Sequence, residues 1–464
     1  EKTMIGVIGI IISLVLLMYL AYRGWSIILL APILALFASA FTILEGGDFH
    51  GLAIYTEDFM ASLAGYVKTY FPIFLLGAVF GRLLDASGAA NSIAEFIGEK
   101  LGKDKAILAV VIACGIITYG GVSLFVAVFA IYPIGAALFR QAGIPKRILP
   151  PAIALGAFTF TMTAIPGTPQ IQNAIPMQYF GTDAFAAPIL GMVAALVMLF
   201  GGLFWLTTRA KKAMAAGEGY GEHPGEVLST VDASNLPSFT ISIVPIIVVV
   251  ACNFVFSKFL FPKMEAGYLE TVYNTSLGNV LGNWALISAL IIGILVTIVL
   301  NYKRYDNVLE TLKEGVSSSF LAVMNTASEV GYGNVIKTLA GFGIVAGVMV
   351  NAFENPLIGS AISSSVLAGI TGSASGGLSI ALATFGETFL DRAVAMGISP
   401  EVLHRVAAIA CGGLDTLPHN GAVITLLAAT GMTHKQCYLN IAMCTVVIPL
   451  ISCAVIIALG TIGI

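Results

Sequence analysis

The chain has 464 residues, 58% of them hydrophobic and only 10% charged, with a net charge of −3 and a mean hydropathy of +0.95. A soluble domain carries about 25% charge, so 22 Lys+Arg and 25 Asp+Glu cannot cover a water-facing surface of this size, and the chain reads as an integral membrane protein. The near-neutral charge also excludes nucleic-acid binding, and continuous apolar runs of helical length exclude a β-barrel.

In chain order, the first apolar run, Met4 to Leu20, leads through Tyr22-Arg23-Gly24 into a second, Ile27 to Ile43, and is expected to be a retained helix, not a signal peptide. An acidic stretch follows, with Glu45, Asp48, Glu57 and Asp58. Apolar segments then recur near 70–84, 106–118, 122–139, 148–165 and 186–206. A polar insertion covers about 209–238, after which apolar segments fall near 240–256, 283–300, 316–352, 355–371, 377–390, 402–414, 420–430 and 437–462. The positive-inside bias collects Arg23, Lys100/Lys103/Lys105, Arg140/Lys146/Arg147, Arg209/Lys211/Lys212 and Lys303/Arg304 on the cytoplasmic side. Both termini are then expected outside.

The two sides of the insertion resemble each other. Phe80-Gly81 through Gly88 has a counterpart in Tyr332-Gly333 through Gly341, an offset of 333 − 81 = 252. Gly120-Gly121-Val122-Ser123 echoes Gly376-Gly377-Leu378-Ser379, and Gly143-Ile144-Pro145 echoes Gly397-Ile398-Ser399-Pro400. A polar, Pro-containing break follows each, at Ile165–Gln170 and at Leu417–Asn420. Paired interruptions in oppositely oriented halves are the pattern of a secondary transporter with a midplane site. The fold expected is all-α and polytopic, with inverted repeats over 1–208 and 239–464, a 209–238 linker, broken helices and re-entrant hairpins.

A helix break at membrane depth persists only when it is buried in protein or lines a cavity. Pro166 and Pro169 remove backbone donors, and Thr159, Thr161, Thr163, Thr168, Gln170, Gln172 and Asn173 surround them with neutral polar groups. Either these threonines satisfy backbone carbonyls of kinked helices, or the break, with Gly167, lines a substrate pocket. The mate, Gly412 to Gly421, holds Asp415, Thr416, His419 and Asn420. A buried carboxylate and imidazole suit proton carriage, although a structural Asp415–His419 contact is the competing reading. Thr118, Gly120, Gly121 and Ser123, and likewise Thr371, Ser373, Ser375 and Gly376, could turn hairpin tips whose N–H groups attract a carboxylate, or could simply allow close helix packing. Glu329, Glu354 and Glu387 are further candidates for coupling, and Arg82/Asp85 reads as a structural pair. The six cysteines stand singly and the five histidines form no metal-ligand spacing, so no cofactor or metal is expected.

At Asp415 to Leu427, followed by Gly431-Met432-Thr433-His434-Lys435, and just upstream at His404-Arg405-Val406-Ala407-Ala408, the sequence resembles the gluconate permease (GntP-type) family. The resemblance is strong from about 370 to 445 and fits the length and spacing of the whole chain. It implies a proton symporter for small hydroxylated monocarboxylates, within a superfamily that combines a dimerising scaffold with a moving transport domain. It also places Asp415, Thr416, His419 and Asn420 at the pocket. The first break departs from the gluconate pattern in having no histidine. Fewer hydrogen-bonding partners favour a shorter acid such as 3-hydroxybutyrate.

The expectation is therefore a non-enzymatic importer in a bacterial inner membrane, a homodimer partnered by lipid, protons and a small organic anion. A sodium-coupled carboxylate transporter is the nearest rival, followed by a passive channel and an intramembrane enzyme.

Overall fold

The computed structural model describes residues 2–122, 124–223, 226, 235–351, 353–418 and 420–463. Within them the chain is mostly helical, with no strand among the described residues. Among the described residues six helices are long and apolar enough to cross a bilayer, including Pro188–Ala215 and Leu277–Arg304. At 1.5 Å per residue, 28 residues reach about 42 Å, more than a hydrocarbon core requires. Their outward side chains are apolar: Phe204 is 74% and Val299 76% exposed. Such a surface is stable against lipid and not against water.

The element order recurs. A long helix, Met60–Ala86, is followed by a short one, a hairpin (Ala106–Tyr119 and Leu124–Ala142), a broken helix (Leu149–Ala157, then Ile171–Phe180) and a long helix, Pro188–Ala215. In the second half the same sequence runs Val308–Thr338, Phe342–Asn351, a hairpin (Pro356–Thr371 and Ala374–Ala395), a broken helix (Pro400–Leu414, then Gly421–Thr430) and a final span over 434–461. The offsets barely drift: 356 − 106 = 250, 400 − 149 = 251 and 421 − 171 = 250. The apolar run at 316–352 is divided, because helix 308–338 ends before Leu339 and a new helix starts at Phe342.

Local chemistry sets these boundaries. Asn355, Ser373, Ser399 and Asn420 are N-caps whose side chains accept backbone N–H bonds, and Pro356 and Pro400 begin helices where a missing donor is harmless. Gly121 (φ +94°) turns the first hairpin and Gly372 (φ +63°) the second, both in the left-handed region. This corrects the register read from the sequence. The tips are related by 372 − 121 = 251, in step with the rest of the repeat. Gly376 and Gly377 instead lie in the first turn of helix Ala374–Ala395, where Gly377 packs against the backbone of Ala368 in the opposing helix. Here the glycines serve close packing, not the turn.

Long helices Met60–Ala86 and Val308–Thr338 pack against each other, and the second also packs against hairpin helix Ala374–Ala395. Between the halves, Arg82 bonds Asp85 at 2.5 Å and Glu314 at 2.6 Å, so the expected pair is part of a triad. Several basic residues meet the linker. Arg147 pairs with Glu218, Arg140 and Lys146 with Glu226, and Arg304 donates to Asn235 and Leu236, all linker residues. The six cysteines are free thiols, five of them buried.

Candidate functional site

Each break is tied to the hairpin of its own half by the residue that opens its second half-helix. Gln170, before Ile171–Phe180, donates its amide to the Thr118 carbonyl (2.7 Å) and the Val122 carbonyl (3.4 Å) at the first hairpin tip. Asn420, before Gly421–Thr430, donates to the Gly372 carbonyl at the second tip and to Asp415, both at 2.8 Å. The two residues are 420 − 170 = 250 apart. Tyr119 adds a bond to the Pro166 carbonyl (2.8 Å), and a methyl group at Gly121 would meet Pro169 at 2.9 Å.

The two breaks also meet each other. A Cβ on Gly412 would lie 3.3 Å from the Thr163 methyl. Arg405, fully buried in the helix entering the second break, projects its guanidinium into the first. It donates to the carbonyls of Ala186 (2.8 and 3.1 Å), Thr163 (2.9 Å) and Ala184 (3.4 Å), and to the Asn173 side-chain oxygen (3.0 Å). His404 joins the same oxygen through Nε2 at 3.1 Å and Thr182 through Nδ1 at 2.6 Å. Since a carbonyl oxygen only accepts, Nε2 carries the imidazole proton. The Asn173 amide completes the network on the Thr168 and Ala184 carbonyls, both at 2.9 Å. Sequence reasoning gives Arg405 no role; an arginine leading straight into the uncharged run 406–414 is the available signal.

The candidate residues divide into those spent on architecture and those with polar atoms to spare. Thr159, Thr161 and Thr163 bond to carbonyls of Leu155, Gly156 and Thr159, so at these three positions the backbone-satisfying reading holds. Asn173, Gln170 and Asn420 are engaged as above. Thr416 bonds Thr445 (2.7 Å), Thr371 bonds Leu367 (2.9 Å), and the Ser373 hydroxyl accepts from Gly376 and neighbours Ser375. Gly120 faces Ile246, and Gly167 (φ +85°) donates to Ala184 while packing against Phe185. Gly376 meets the Glu329 carboxylate and belongs to neither break. By contrast, Thr118 Oγ1, Thr168 Oγ1, Gln172 Oε1 and Asp415 Oδ1 are buried with no hydrogen-bond partner in the protein. Buried polar atoms seldom remain unpaired without a ligand or a role. Ser123 and His419 lie outside the described residues. Among the other acidic candidates Glu329 is buried, whereas Glu354 and Glu387 are exposed. No cluster of three metal-ligating side chains occurs among the described residues. A broad cleft of about 820 Å³, lined by Ser87, Asn235, Asn301 and Arg304, includes no residue of either break.

Comparison with known proteins matches this architecture. The family described as GntP family permease matches residues 3–462. An uncharacterized transporter of Bacillus subtilis (strain 168), YxjC, is 45% identical over 453 residues, covering 94% of this chain and 95% of that protein. An uncharacterized transporter of Haemophilus influenzae is 31% identical over 190 residues, 41% of this chain and 42% of its own length. Among solved structures, the Alcanivorax borkumensis YdaH transporter, noted for an unusual topology, superposes with a TM-score of 0.57 at 14% identity, covering 89% of each chain. Neisseria gonorrhoeae MtrF, from a class of antimetabolite efflux pumps, gives 0.55 at 16% identity, covering 89% of this chain and 84% of its own. At these identities the likeness concerns the fold alone.

Proposed function

The chain belongs to the GntP permease family of membrane transporters, and from that premise we propose that it imports a small hydroxymonocarboxylate, such as 3-hydroxybutyrate or gluconate, by proton symport. The observation that carries this reading is the unpaired, buried Asp415 Oδ1 at the second break. A charge left uncompensated there is costly, and a proton taken from one side and released to the other removes the cost. Thr118 and Thr168 supply free hydroxyls for the anion and its hydroxyl group, and His419 shares the proton or the substrate. Gly120, Gly121, Gly167, Ser373, Ser375 and Thr416 shape the pocket walls, while Gln170, Asn173, Thr163, Thr371 and Asn420 hold the breaks in place.

The halves 1–208 and 239–464 act as oppositely oriented repeats joined by a cytoplasmic 209–238 linker, with both termini outside. Hairpins and breaks, bonded as they are, travel together past the long helices in an elevator-type movement, in a homodimer of a bacterial inner membrane. The rival reading, Na⁺ held by the same carbonyls and hydroxyls, is separated by uptake of radiolabelled gluconate and 3-hydroxybutyrate into proteoliposomes. Accumulation under an inward pH gradient without sodium, abolished by Asp415→Asn, is the expected result. Accumulation that requires sodium, or an Asp415→Asn variant that still accumulates substrate, overturns proton coupling at this residue.

A further inference from the structure

A second set of unpaired buried oxygens lies away from the breaks, where Val308–Thr338 packs against both Met60–Ala86 and hairpin helix Ala374–Ala395. Glu329, on the second of these helices, is 2% exposed and its Oε2 has no hydrogen-bond partner. Its carboxylate lies against Gly376, where no side chain larger than hydrogen fits. One turn further along the same helix, Ser379 (0% exposed) faces the Tyr66 hydroxyl, which Glu329 and Thr326 also neighbour. The hydroxyls of both Tyr66 and Ser379 are buried and unpartnered too. Polar side chains from three helices are thus gathered at one contact, with the Tyr66 and Ser379 hydroxyls beside each other and the Glu329 carboxyl near them.

Glu329 has no salt-bridge partner among the described residues. The titratable groups that face this space are Tyr66 itself, Tyr70 one turn on, and Tyr179 from the half-helix after the first break. Tyr70 is already engaged, donating to the Ile175 carbonyl at 2.9 Å. Lys68 is exposed, Arg82 and Asp85 form their own triad, and Lys337 reaches the Ala383 carbonyl. No cation is therefore at hand to balance a carboxylate, and an uncompensated charge in such a place is costly. A neutral carboxylic acid avoids that cost, and its O–H can donate to a hydroxyl oxygen that has no partner at present.

We propose that Glu329, with Tyr66 and Ser379, forms a second proton site, in which Glu329 Oε2 takes up a proton and donates it as a hydrogen bond to the hydroxyl pair. The inference rests on reading the chain as a proton-coupled symporter and adds a carrier at the contact between a long helix and the second hairpin, the surface along which an elevator would slide. Proton release from Glu329 would leave a bare carboxylate at that contact and so favour separation of the two elements.

The test reads the proton with no substrate present. Full-length protein in lipid nanodiscs is followed by infrared difference spectroscopy as pH is cycled between acid and alkaline. A carboxylic-acid C=O band that rises and falls with pH is expected, absent in Glu329→Gln, shifted in frequency in Tyr66→Phe, and retained in Asp415→Asn. The inference is overturned if Glu329→Gln leaves the spectrum unchanged, if the Glu329 band persists at every pH as for a static buried acid, or if sodium at fixed pH abolishes it. Tyr66→Phe keeps the test decisive should Glu329→Gln fold poorly, since a phenylalanine removes only the hydroxyl. Because no transport is measured, loss of this site and failure of the symport reading give different results.

Discussion

Arg405 Nη1 donates to the side-chain oxygen of Asn173 at 3.0 Å, joining a helix of the second half to the break of the first. Both groups are fully buried, and the guanidinium is shared among three backbone carbonyls besides. Arg405→Met should leave those acceptors unpaired and cost at least about 3 kcal/mol. Thermal unfolding in detergent checks this. A double-mutant cycle with Asn173→Ala should show coupling of about 0.5–3 kcal/mol, and additive losses would mean that the bond contributes nothing.

Thr168→Val behaves in the opposite way. Its hydroxyl is buried without a partner, so the near-isosteric valine should leave the unfolding midpoint unchanged or raise it. If that hydroxyl meets the substrate, KM should rise about threefold to tenfold, the worth of one neutral hydrogen bond. Initial-rate uptake in proteoliposomes measures it. A drop in stability with unaltered KM would assign Thr168 to architecture.

Gly121 and Gly143 offer an internally controlled comparison. Both adopt positive φ (+94° and +65°), but an added Cβ meets nothing within 4 Å at Gly143 and would press on Pro169 at 2.9 Å at Gly121. Gly143→Ala should therefore cost about 1 kcal/mol from backbone strain alone. Gly121→Ala should cost more and reduce uptake, because it forces the hairpin tip away from the first break. Equal losses in a thermal-shift assay would count against the close approach.

On the linker face, burial alone would raise the Glu226 carboxyl, but the Lys146 ammonium and the Tyr132 and Tyr220 hydroxyls outweigh it and hold the group at about 2, below the ordinary 4.5. A lowered carboxylate contributes stability that is complete above its unfolded value and lost as pH falls through the folded one. Linker docking should thus be constant from neutral pH down to about pH 5 and weaken only as pH falls from about 4.5 towards 2. Limited proteolysis of the linker reads this directly, and Glu226→Gln should expose the linker at neutral pH.

Composition was enough for the membrane class, and Pro166, Pro169 and Pro418 marked both breaks. The glycines hinted at the recurring element order, but not at its register at the hairpins. Gly376-Gly377 looks like Gly120-Gly121 in letters, yet conformation puts Gly372 at the tip, and only a positive φ distinguishes a turning glycine from a packing one. Likewise, a threonine that bonds its own helix and one that is left free read identically. Thr163 and Thr168 separate only when the backbone around Pro166 is in place. Arg405 has no role legible in the sequence because its partners lie more than two hundred residues away.

That separation bears on how the protein is made. The carbonyls of Ala184 and Ala186 leave the ribosome long before their guanidinium, which lies 219 residues beyond Ala186. At about 5–20 residues per second this is a delay of about 10–45 s. Throughout that interval the carbonyls of the first break wait without the donor that pairs them, and the later segment brings the suture.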